Sequence, residues 1–226
     1  MNLLIDRPPE TVFIGGTEYE INSDFRASIL FELLMQDDDV DDVRKLERAL
    51  ELYFPDGCPE EDLTEVFKAI IWFYRCGRSD KERKPGKPKK TAGDDTEEPE
   101  QEPEEEQGSG QRAYSFDYDD EYIYAAFRQQ YGINLSEVEY LHWWEFRAMF
   151  KGLDHNCEFA KIMGYRTARI TKEMSKTEKA FLHKMKSVHA LPISEKEQQE
   201  ADALVDALMN GGDLDKLLGY EEVGHG

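Results

Sequence analysis

The chain has 226 residues, a formal net charge of -21, and a hydrophobic content of 39%. This composition can supply a core, but no run approaches the roughly 18 apolar residues that a membrane-spanning helix needs, so no membrane contact is expected. Nucleic acid is not expected as a ligand, because phosphate contacts need clustered Lys and Arg side chains. The first ten residues lack the basic and apolar regions of a signal peptide, which predicts a reducing cytoplasm.

Residues 1–77 are predicted to form a β-hairpin followed by three helices. Gly15 and Gly16 separate two short apolar runs, and paired glycines supply the positive φ angles of a two-residue turn. Ser23 or Asp24 should cap the first helix, "FRASILFELLMQ", and Gly77 should end the third. The side chains predicted to face the core are Val43, Leu46, Leu50 and Phe54 in the second helix, and Leu63, Phe67, Ile70, Ile71 and Tyr74 in the third.

The composition changes abruptly over residues 78–112. Between Arg78 and Arg112 there is no aromatic residue and no Leu, Ile, Val or Met. The segment runs from the basic "KERKPGKPKK" to the acidic "DDTEEPEQEPEEEQGSG". Because it has no apolar surface to offset the entropy of ordering, we predict a disordered charged linker between two helical halves. The acidic block would compete for the lysines, which argues against a nucleic-acid patch.

Residues 113–190 are predicted to form the second helical half, and 191–226 a C-terminal helix and tail. Asp117, Asp119 or Asp120 could cap a helix that ends at Gly132. A further short helix, in "DHNCEFAKIMGYRTARI", is predicted to break near Gly164. Capping-box patterns at Ser175 and Glu178, and again at Ser194 and Glu197, each precede another helix. The predicted fold class is mainly α, with a short N-terminal β-hairpin.

The segment "YLHWWEFRAMF", residues 140–150, concentrates aromatic side chains. Ser136 and Glu139 form a capping-box pattern, which predicts an aromatic helix over 136–151. This helix would be apolar almost all the way round, so it is either central in its domain or covered by another chain. The first helix of the same chain could also supply the cover. If part of the segment binds a partner protein, the candidate residues are Tyr140, Trp143, Trp144, Arg147 and Phe150.

Patterns for catalysis, metals and cofactors are weak. His155 and Cys157 stand two apart, but no second pair at zinc-ligand spacing accompanies them. The acidic run 37–42 lacks the glycine and glutamate that an EF-hand loop requires. No serine lies in a GxSxG motif. We therefore expect no enzyme activity, no metal and no cofactor.

Three long strings resemble one known family. They are "YEINSDFRASILFELL", "YSFDYDDEYIYAAFRQQYGINLSEVEYLHWWEFRAMFKGL" and "AKIMGYRTARITKEMSKTEKAFLHKMKS". They are similar to the bacteriophage "gene product fifteen" family, which is encoded close to the tape-measure gene of long-tailed phages and prophages of Gram-positive bacteria. The resemblance implies a tail assembly chaperone, which coats the tape-measure protein until the tail tube polymerises around it. It supplies no catalytic residues.

The partners that this resemblance implies are the phage tape-measure protein and a companion tail assembly protein, with self-association left open. The expected location is the cytoplasm of the bacterial host, with the protein absent from the mature virion. An alternative is a structural tail component that stays in the virion. A third hypothesis is an acidic inhibitor that mimics nucleic acid, which ranks last because the densest acidic run, residues 94–106, falls in the predicted disordered linker.

Overall fold

A computed structural model describes residues 2–57, 59, 62–78 and 112–192 of the chain. Within these ranges the fold is mainly α, as predicted, with a two-stranded hairpin at the N-terminal end. Residues 79–111 of the predicted linker and the helix predicted after 193 lie outside the described residues. The elements are β1 (Thr11–Ile14), β2 (Thr17–Glu20), α1 (Phe25–Gln36), α2 (Asp42–Tyr53), α3 (Leu63–Tyr74), α4 (Asp120–Tyr131), α5 (Trp143–Lys151), α6 (Glu158–Thr167) and α7 (Lys176–Val188).

The hairpin has the predicted two-residue turn. β1 and β2 are antiparallel, and Ile14 pairs with Thr17 across the turn. Gly15 and Gly16 have φ angles of 58° and 88°, which is the geometry that a tight hairpin turn needs. Alternate side chains of a strand face opposite sides, so Val12 and Ile14 are buried while Phe13 is exposed.

The buried face of α2 differs from the prediction. Val43 and Leu46 are 64% and 43% exposed, whereas Ala49 and Tyr53 are fully buried. The Tyr53 hydroxyl lies 3.0 Å from Ser28 Oγ of α1. The buried residues of α2 both lie in its second half, so Val43 and Leu46, in its first half, lie outside the packed part of the helix. Leu50 is half-buried and Phe54 is buried, as predicted.

α3 ends at Tyr74, and the predicted Gly77 belongs to the turn that closes it. Cys76 donates its backbone N–H to the Phe73 carbonyl and Gly77 donates to the Trp72 carbonyl, both at 2.9 Å, which is a Schellman motif. Both residues have positive φ angles, 57° for Cys76 and 69° for Gly77. Of the predicted core residues of α3, Ile70 is buried, Phe67, Ile71 and Tyr74 are half-buried, and Leu63 is exposed because it lies in the first turn, where the chain enters the helix.

Two predictions for the second half need correction. Asp119 precedes α4, but its side chain does not cap the helix; it is buried and bonded to Arg166. α6 runs unbroken through Gly164, because the glycine keeps its place in the helical hydrogen-bond pattern. The other boundaries hold: α4 ends at Gly132, with a φ angle of 70°, and both hydrogen bonds of the predicted Ser175 capping box are present.

The aromatic helix begins at Trp143 and not at residue 136, so the predicted helix over 136–151 is too long. The chain before α5 is extended and pairs with the segment before α1. Phe25 N–H donates to the Leu141 carbonyl at 2.9 Å, and Trp143 N–H donates to the Ser23 carbonyl at 2.8 Å. These backbone groups bond across to the N-terminal half, so they are not available for helical bonds within their own segment.

Residues from both predicted halves enter the same hydrophobic core. Phe25 of α1 stacks on Phe146 of α5 with ring centroids 4.9 Å apart, and Tyr74 of α3 stacks on Trp143 at 5.5 Å. The cover for the aromatic helix therefore comes from within the same chain, which was one of the two arrangements that the sequence left open.

Candidate functional site

His142 fixes the start of the aromatic helix. Its ring is buried, and Nδ1 accepts a hydrogen bond from the backbone N–H of Trp144 at 3.0 Å. Because Nδ1 accepts, Nε2 carries the ring proton and donates it to the Pro9 carbonyl, also at 3.0 Å. Burial lowers the pKa of His142. This effect exceeds the opposite effects of the hydrogen bond to Pro9 and of the nearby Glu10 and Glu145 carboxylates. The neutral ring is therefore a helix cap and a tie to the N-terminal segment.

The two tryptophans join α5 to the end of α3. The indole N–H of Trp143 donates to the Tyr74 carbonyl at 2.9 Å, and that of Trp144 donates to the Phe73 carbonyl at 2.8 Å. Carbonyls in the last turn of a helix lack the usual helical partners. The Trp143 indole supplies a donor for the Tyr74 carbonyl, and the Trp144 indole adds a second donor to the Phe73 carbonyl, which also accepts from the Cys76 N–H. Trp143 and Trp144 are 0% and 1% exposed, so neither contributes to a surface.

Arg147 lies in a polar cluster between α1, α3 and α5. Its guanidinium carbon is 5.2 Å from the centre of the Trp143 ring and 5.9 Å from that of Tyr74, both within cation–π range. The Tyr74 hydroxyl donates a hydrogen bond to Glu32. Burial and the Glu32 carboxylate raise the pKa of Tyr74, and the same two causes raise that of Tyr114 to about 12. Both tyrosines are therefore protonated at neutral pH and act as hydrogen-bond donors, not as bases.

The five side chains proposed for protein interaction do not form a common surface. Phe150 is 9% exposed and packs against Tyr114 and Phe159, while Arg147 is half-buried. Tyr140 is 49% exposed, with its hydroxyl 2.8 Å from Ser23 Oγ. Trp143, Trp144 and Phe150 are covered by α1, α3 and the 114–116 segment, so they present no exposed aromatic surface on this helix. A role in partner binding stays a prediction for all five.

An open cavity beside the aromatic helix is a better candidate site. It has a volume of about 370 Å³ and lies between α1, α4, α5 and the turn at 135–136. Most of its wall is apolar, and Asp120 and Glu121 stand at its edge. We call it the acidic-rimmed groove; it is lined by Ile29, Phe116, Asp120, Glu121, Ile123, Tyr124, Leu135, Ser136 and Phe146.

The walls of the acidic-rimmed groove are fixed by core packing and hydrogen bonds. Phe116, Ile123 and Phe146 belong to the shared core and are at most 6% exposed. Arg26 of α1 holds the turn by donating to the Leu135 carbonyl at 3.0 Å and to the Val138 carbonyl at 2.6 Å. These contacts keep the apolar wall in place without a ligand.

The carboxylates at the rim are unpaired within the part of the chain that the structure describes. Asp120 and Glu121 are exposed residues in the first turn of α4, and neither forms an ion pair with another described residue. Their position at a helix N-terminus is favourable because the helix dipole stabilises negative charge there. The rim therefore presents uncompensated negative charge next to apolar surface.

A second cavity, of about 940 Å³, is polar and lies beside α6, where His155 and Cys157 are among its lining residues. Cys157 Sγ caps α6 by accepting from Ala160 N–H at 3.4 Å, and the His155 side chain is 91% exposed.

Across the described ranges, no group of three or more His, Cys, Asp or Glu side chains is placed to hold a metal ion. In the same ranges no helix is long and apolar enough to span a bilayer.

Sequence reasoning missed the acidic-rimmed groove. The acidic first turn of α4 was visible, but it was explained by the helix dipole alone. Ile29 and Leu135, which form part of the apolar wall, are far apart in the sequence. The pairing of residues 141–143 with residues 23–25 and the bonds from Arg26 to the turn bring them together. No local pattern carries that information.

The hairpin, the helices and the shared aromatic core define a mainly α protein with an open apolar groove. The family model described as "Bacteriophage Gp15 protein" matches residues 4–191. The chain therefore belongs to the bacteriophage Gp15 protein family, as the sequence resemblance indicated. Neither the curated proteins nor the solved structures contain a significant match to the chain.

Proposed function

We propose that this chain is a non-enzymatic tail assembly chaperone, which binds the phage tape-measure protein and keeps it soluble until the tail tube assembles. Membership of a bacteriophage family supports a role in the phage life cycle. The family resemblance adds the client, because its genes lie close to the tape-measure gene. In this proposal the protein acts in the host cytoplasm and leaves before the virion matures.

The observation that carries the proposal is the acidic-rimmed groove, an apolar cavity that the chain's described residues leave open. Apolar cavities with a few polar groups at the edge are typical binding sites, and amphipathic helices bind in such grooves through spaced apolar side chains. Additional large apolar side chains are exposed elsewhere, among them Phe13 at 72% and Tyr118 at 57%. An elongated helical client could contact several of these sites.

The net charge of -21 suits the same role. A chaperone bound along an apolar client must keep the complex from associating, and like charge on every bound copy opposes association. The charge would also favour clients that carry Lys and Arg beside their apolar stripes.

Co-expression with the tape-measure protein encoded beside it tests the proposal. We expect the tape-measure protein to be insoluble alone, and soluble and co-purifying when this chain is present. The control is co-expression with an unrelated protein of similar size and net charge, which should not rescue solubility. If the client remains insoluble and unbound, the proposed function is wrong.

Mass spectrometry of purified virions separates a chaperone from a structural tail component. A chaperone should be missing from particles that contain the tape-measure protein. Its recovery at a fixed ratio to tail-tube subunits would identify it as part of the virion instead.

A further inference from the structure

We propose that the acidic-rimmed groove binds α7 of a second copy of this chain. Exposed apolar side chains of α7 enter the cavity, and lysines of α7 pair with Asp120 and Glu121 at the rim. The inference goes beyond the proposed function, because it assigns what covers the groove when no client is bound. Both contacting surfaces belong to the described residues of the chain.

α7 leaves an apolar stripe uncovered. None of its 13 residues is buried. Phe181 contacts Tyr165 of α6 edge-on, with ring centroids 5.9 Å apart, yet it remains 51% exposed. Val188, seven residues later, is 63% exposed. Residues seven apart lie on the same side of a helix, so Phe181 and Val188 form a short stripe that the described part of the chain does not cover.

The charge of α7 is opposite in sign to that of the whole chain. Its sequence contains four Lys and one Glu, which gives the helix a formal charge of +3 in a chain of -21. No other described helix has a net charge above +1. Among the described helices, α7 is therefore the one whose charge best complements an acidic rim.

The lysines of α7 are available to pair with another copy. Within the described residues none of the four forms an ion pair. Lys184 lies three residues after Phe181 and four before Val188, which places its side chain beside the apolar stripe. Lys176 lies about two turns before Lys184 on the same side of the helix. An apolar contact by the stripe therefore brings ammonium groups to the edge of that contact.

The groove presents the complementary features. Asp120 and Glu121 are exposed and have no cationic partner among the described residues. The apolar wall is fixed before binding, because Phe146 stacks between Phe25 and Phe127 with ring centroids 4.9 Å and 5.0 Å away. A volume of about 370 Å³ admits side chains but not a whole helix. α7 must therefore lie across the mouth of the groove and insert the side chains of its stripe.

The net charge of the chain does not prevent this contact. Residues 79–111 and 193–226, which belong to neither surface, contain 20 Asp and Glu but only eight Lys and Arg. Exposed charges farther apart than about 8 Å are largely screened at physiological ionic strength, whereas an ion pair at the rim brings its atoms within about 4 Å. The charges that meet at the contact therefore outweigh the net charge.

The groove and α7 are different surfaces, so the contact is heterologous. A copy that inserts its α7 keeps its own groove free for a further copy. Association therefore continues beyond a pair unless two copies exchange helices or a ring closes. A client helix that binds in the same groove would displace α7, so self-association would be weakest when the client is present.

Sedimentation velocity of the intact chain over a range of concentrations tests the inference. We expect the parent chain to self-associate. Asp120→Lys/Glu121→Lys should weaken association about tenfold or more, because α7 then meets charge of its own sign. Lys176→Glu/Lys184→Glu should weaken it similarly. The chain with all four substitutions should associate within about threefold of the parent, because the two surfaces are complementary again.

The groove variant also separates local charge from net charge. It changes the net charge from -21 to -17, which by itself would strengthen self-association, whereas the inference requires weaker association. The matched control is Glu47→Lys/Glu51→Lys on the exposed face of α2, which makes the same change in net charge and should not weaken association.

A further variant closes the cavity without changing charge. Ser136 is exposed at the groove, so Ser136→Phe should place a ring in its mouth and weaken association about tenfold or more, whereas Ser136→Ala should behave like the parent chain. Ser136 Oγ bonds Asn134 Oδ1, so both substitutions lose the same hydrogen bond and only the ring distinguishes them. Thermal unfolding of every variant checks that the fold is intact.

Four results would overturn the inference. The parent chain could stay monomeric up to about 1 mM. It could associate equally well in all groove and α7 variants, which would assign association to another surface. The chain with all four charge substitutions could fail to recover association, which would mean that the two surfaces do not pair. The groove variants could lose binding to the tape-measure protein yet keep self-association, which would make the client the occupant.

The self-association experiments contain no client. Their failure would therefore leave the chaperone proposal in place, and failure of the co-expression experiment would leave the contact between copies in place.

Discussion

Replacing Arg166 should show how much of the fold depends on one buried ion pair. Its guanidinium donates to both carboxylate oxygens of Asp119, at 2.6 Å and 2.8 Å. The two side chains are 6% and 0% exposed. Arg166 also donates to the carbonyls of Ala113 and His189, so four segments of the chain meet at this guanidinium.

The cost of Arg166→Met follows from the Asp119 carboxylate that it leaves behind. A buried charge that loses its partner destabilises a protein by about 3 to 5 kcal/mol, which is a large fraction of a typical unfolding free energy. At about 2 to 4 °C per kcal/mol for a chain of this size, the midpoint of thermal unfolding should fall by roughly 6 to 20 °C. The exposed Arg169→Met is the matched control and should change the unfolding free energy by less than about 0.5 kcal/mol.

The same change should release α7 locally. α7 has no buried residue, and the Arg166 side chain connects it to the core by donating to the His189 carbonyl, a bond that Arg166→Met removes; the bond from Lys186 Nζ to the backbone carbonyl of residue 166, at 2.7 Å, is kept. In hydrogen exchange measured by mass spectrometry, the amides of α7 should lose protection in Arg166→Met before those of α5. Urea titration of the same variant gives the global cost.

A double variant distinguishes a lost charge partner from lost packing. Asp119→Leu/Arg166→Met removes both charges, and buried ion pairs can often be replaced by apolar groups with little loss. We expect it to recover most of the stability that Arg166→Met loses, so the double variant should be less destabilised than Arg166→Met alone. A loss below about 1 kcal/mol for Arg166→Met alone would refute the reasoning, because an unpaired buried carboxylate cannot cost so little.

Four further predictions concern His142, Gly77, Gly164 and Trp143. Burial lowers the pKa of His142, so as the pH falls the unfolded chain takes up the proton before the folded chain does. The contribution of His142 to the free energy of unfolding should be complete above about pH 6.5 and decrease as the pH falls below that value. His142→Asn should remove this pH-dependent component from a urea titration series. Gly77→Ala should lower the unfolding free energy by about 1 to 2 kcal/mol, because the φ angle is 69° and the new Cβ would lie 3.0 Å from Cη2 of Trp144. Gly164→Ala should instead raise it by about 0.5 to 1 kcal/mol, because the position is helical and open. Trp143→Ala should cost about 3 to 5 kcal/mol, as expected for a core aromatic, when measured by the same titration.

Each of these has an outcome that contradicts it. A pH dependence unchanged in His142→Asn would assign the titration to another group. Equal effects of the two glycine substitutions would mean that neither backbone strain nor the approach to Trp144 matters. A fully stable Trp143→Ala would show that the ring is not part of the core.

The sequence by itself determined the local structure. The turn at Gly15 and Gly16, the limits of α1, the closing turn of α3 at Gly77 and the capping box at Ser175 were all predictable, because each depends on residues within a few positions of one another. The mainly α class and the family followed from the same patterns and from long matching strings.

Only the tertiary structure decided where α5 begins, which face of α2 is buried and what Asp119 does. The Ser136 pattern favoured an earlier start to α5, but residues 141 and 143 use their backbone groups to pair with residues 23 and 25 from the other half of the chain. Asp119 is followed by a helix, as a cap would be, yet an arginine 47 residues later takes its carboxylate. The acidic-rimmed groove has the same origin, because its walls come from segments that meet only when the two halves bury one aromatic core. Local secondary-structure propensities contribute less free energy than the burial of large aromatic side chains. Burial therefore decides the structure where the two favour different conformations.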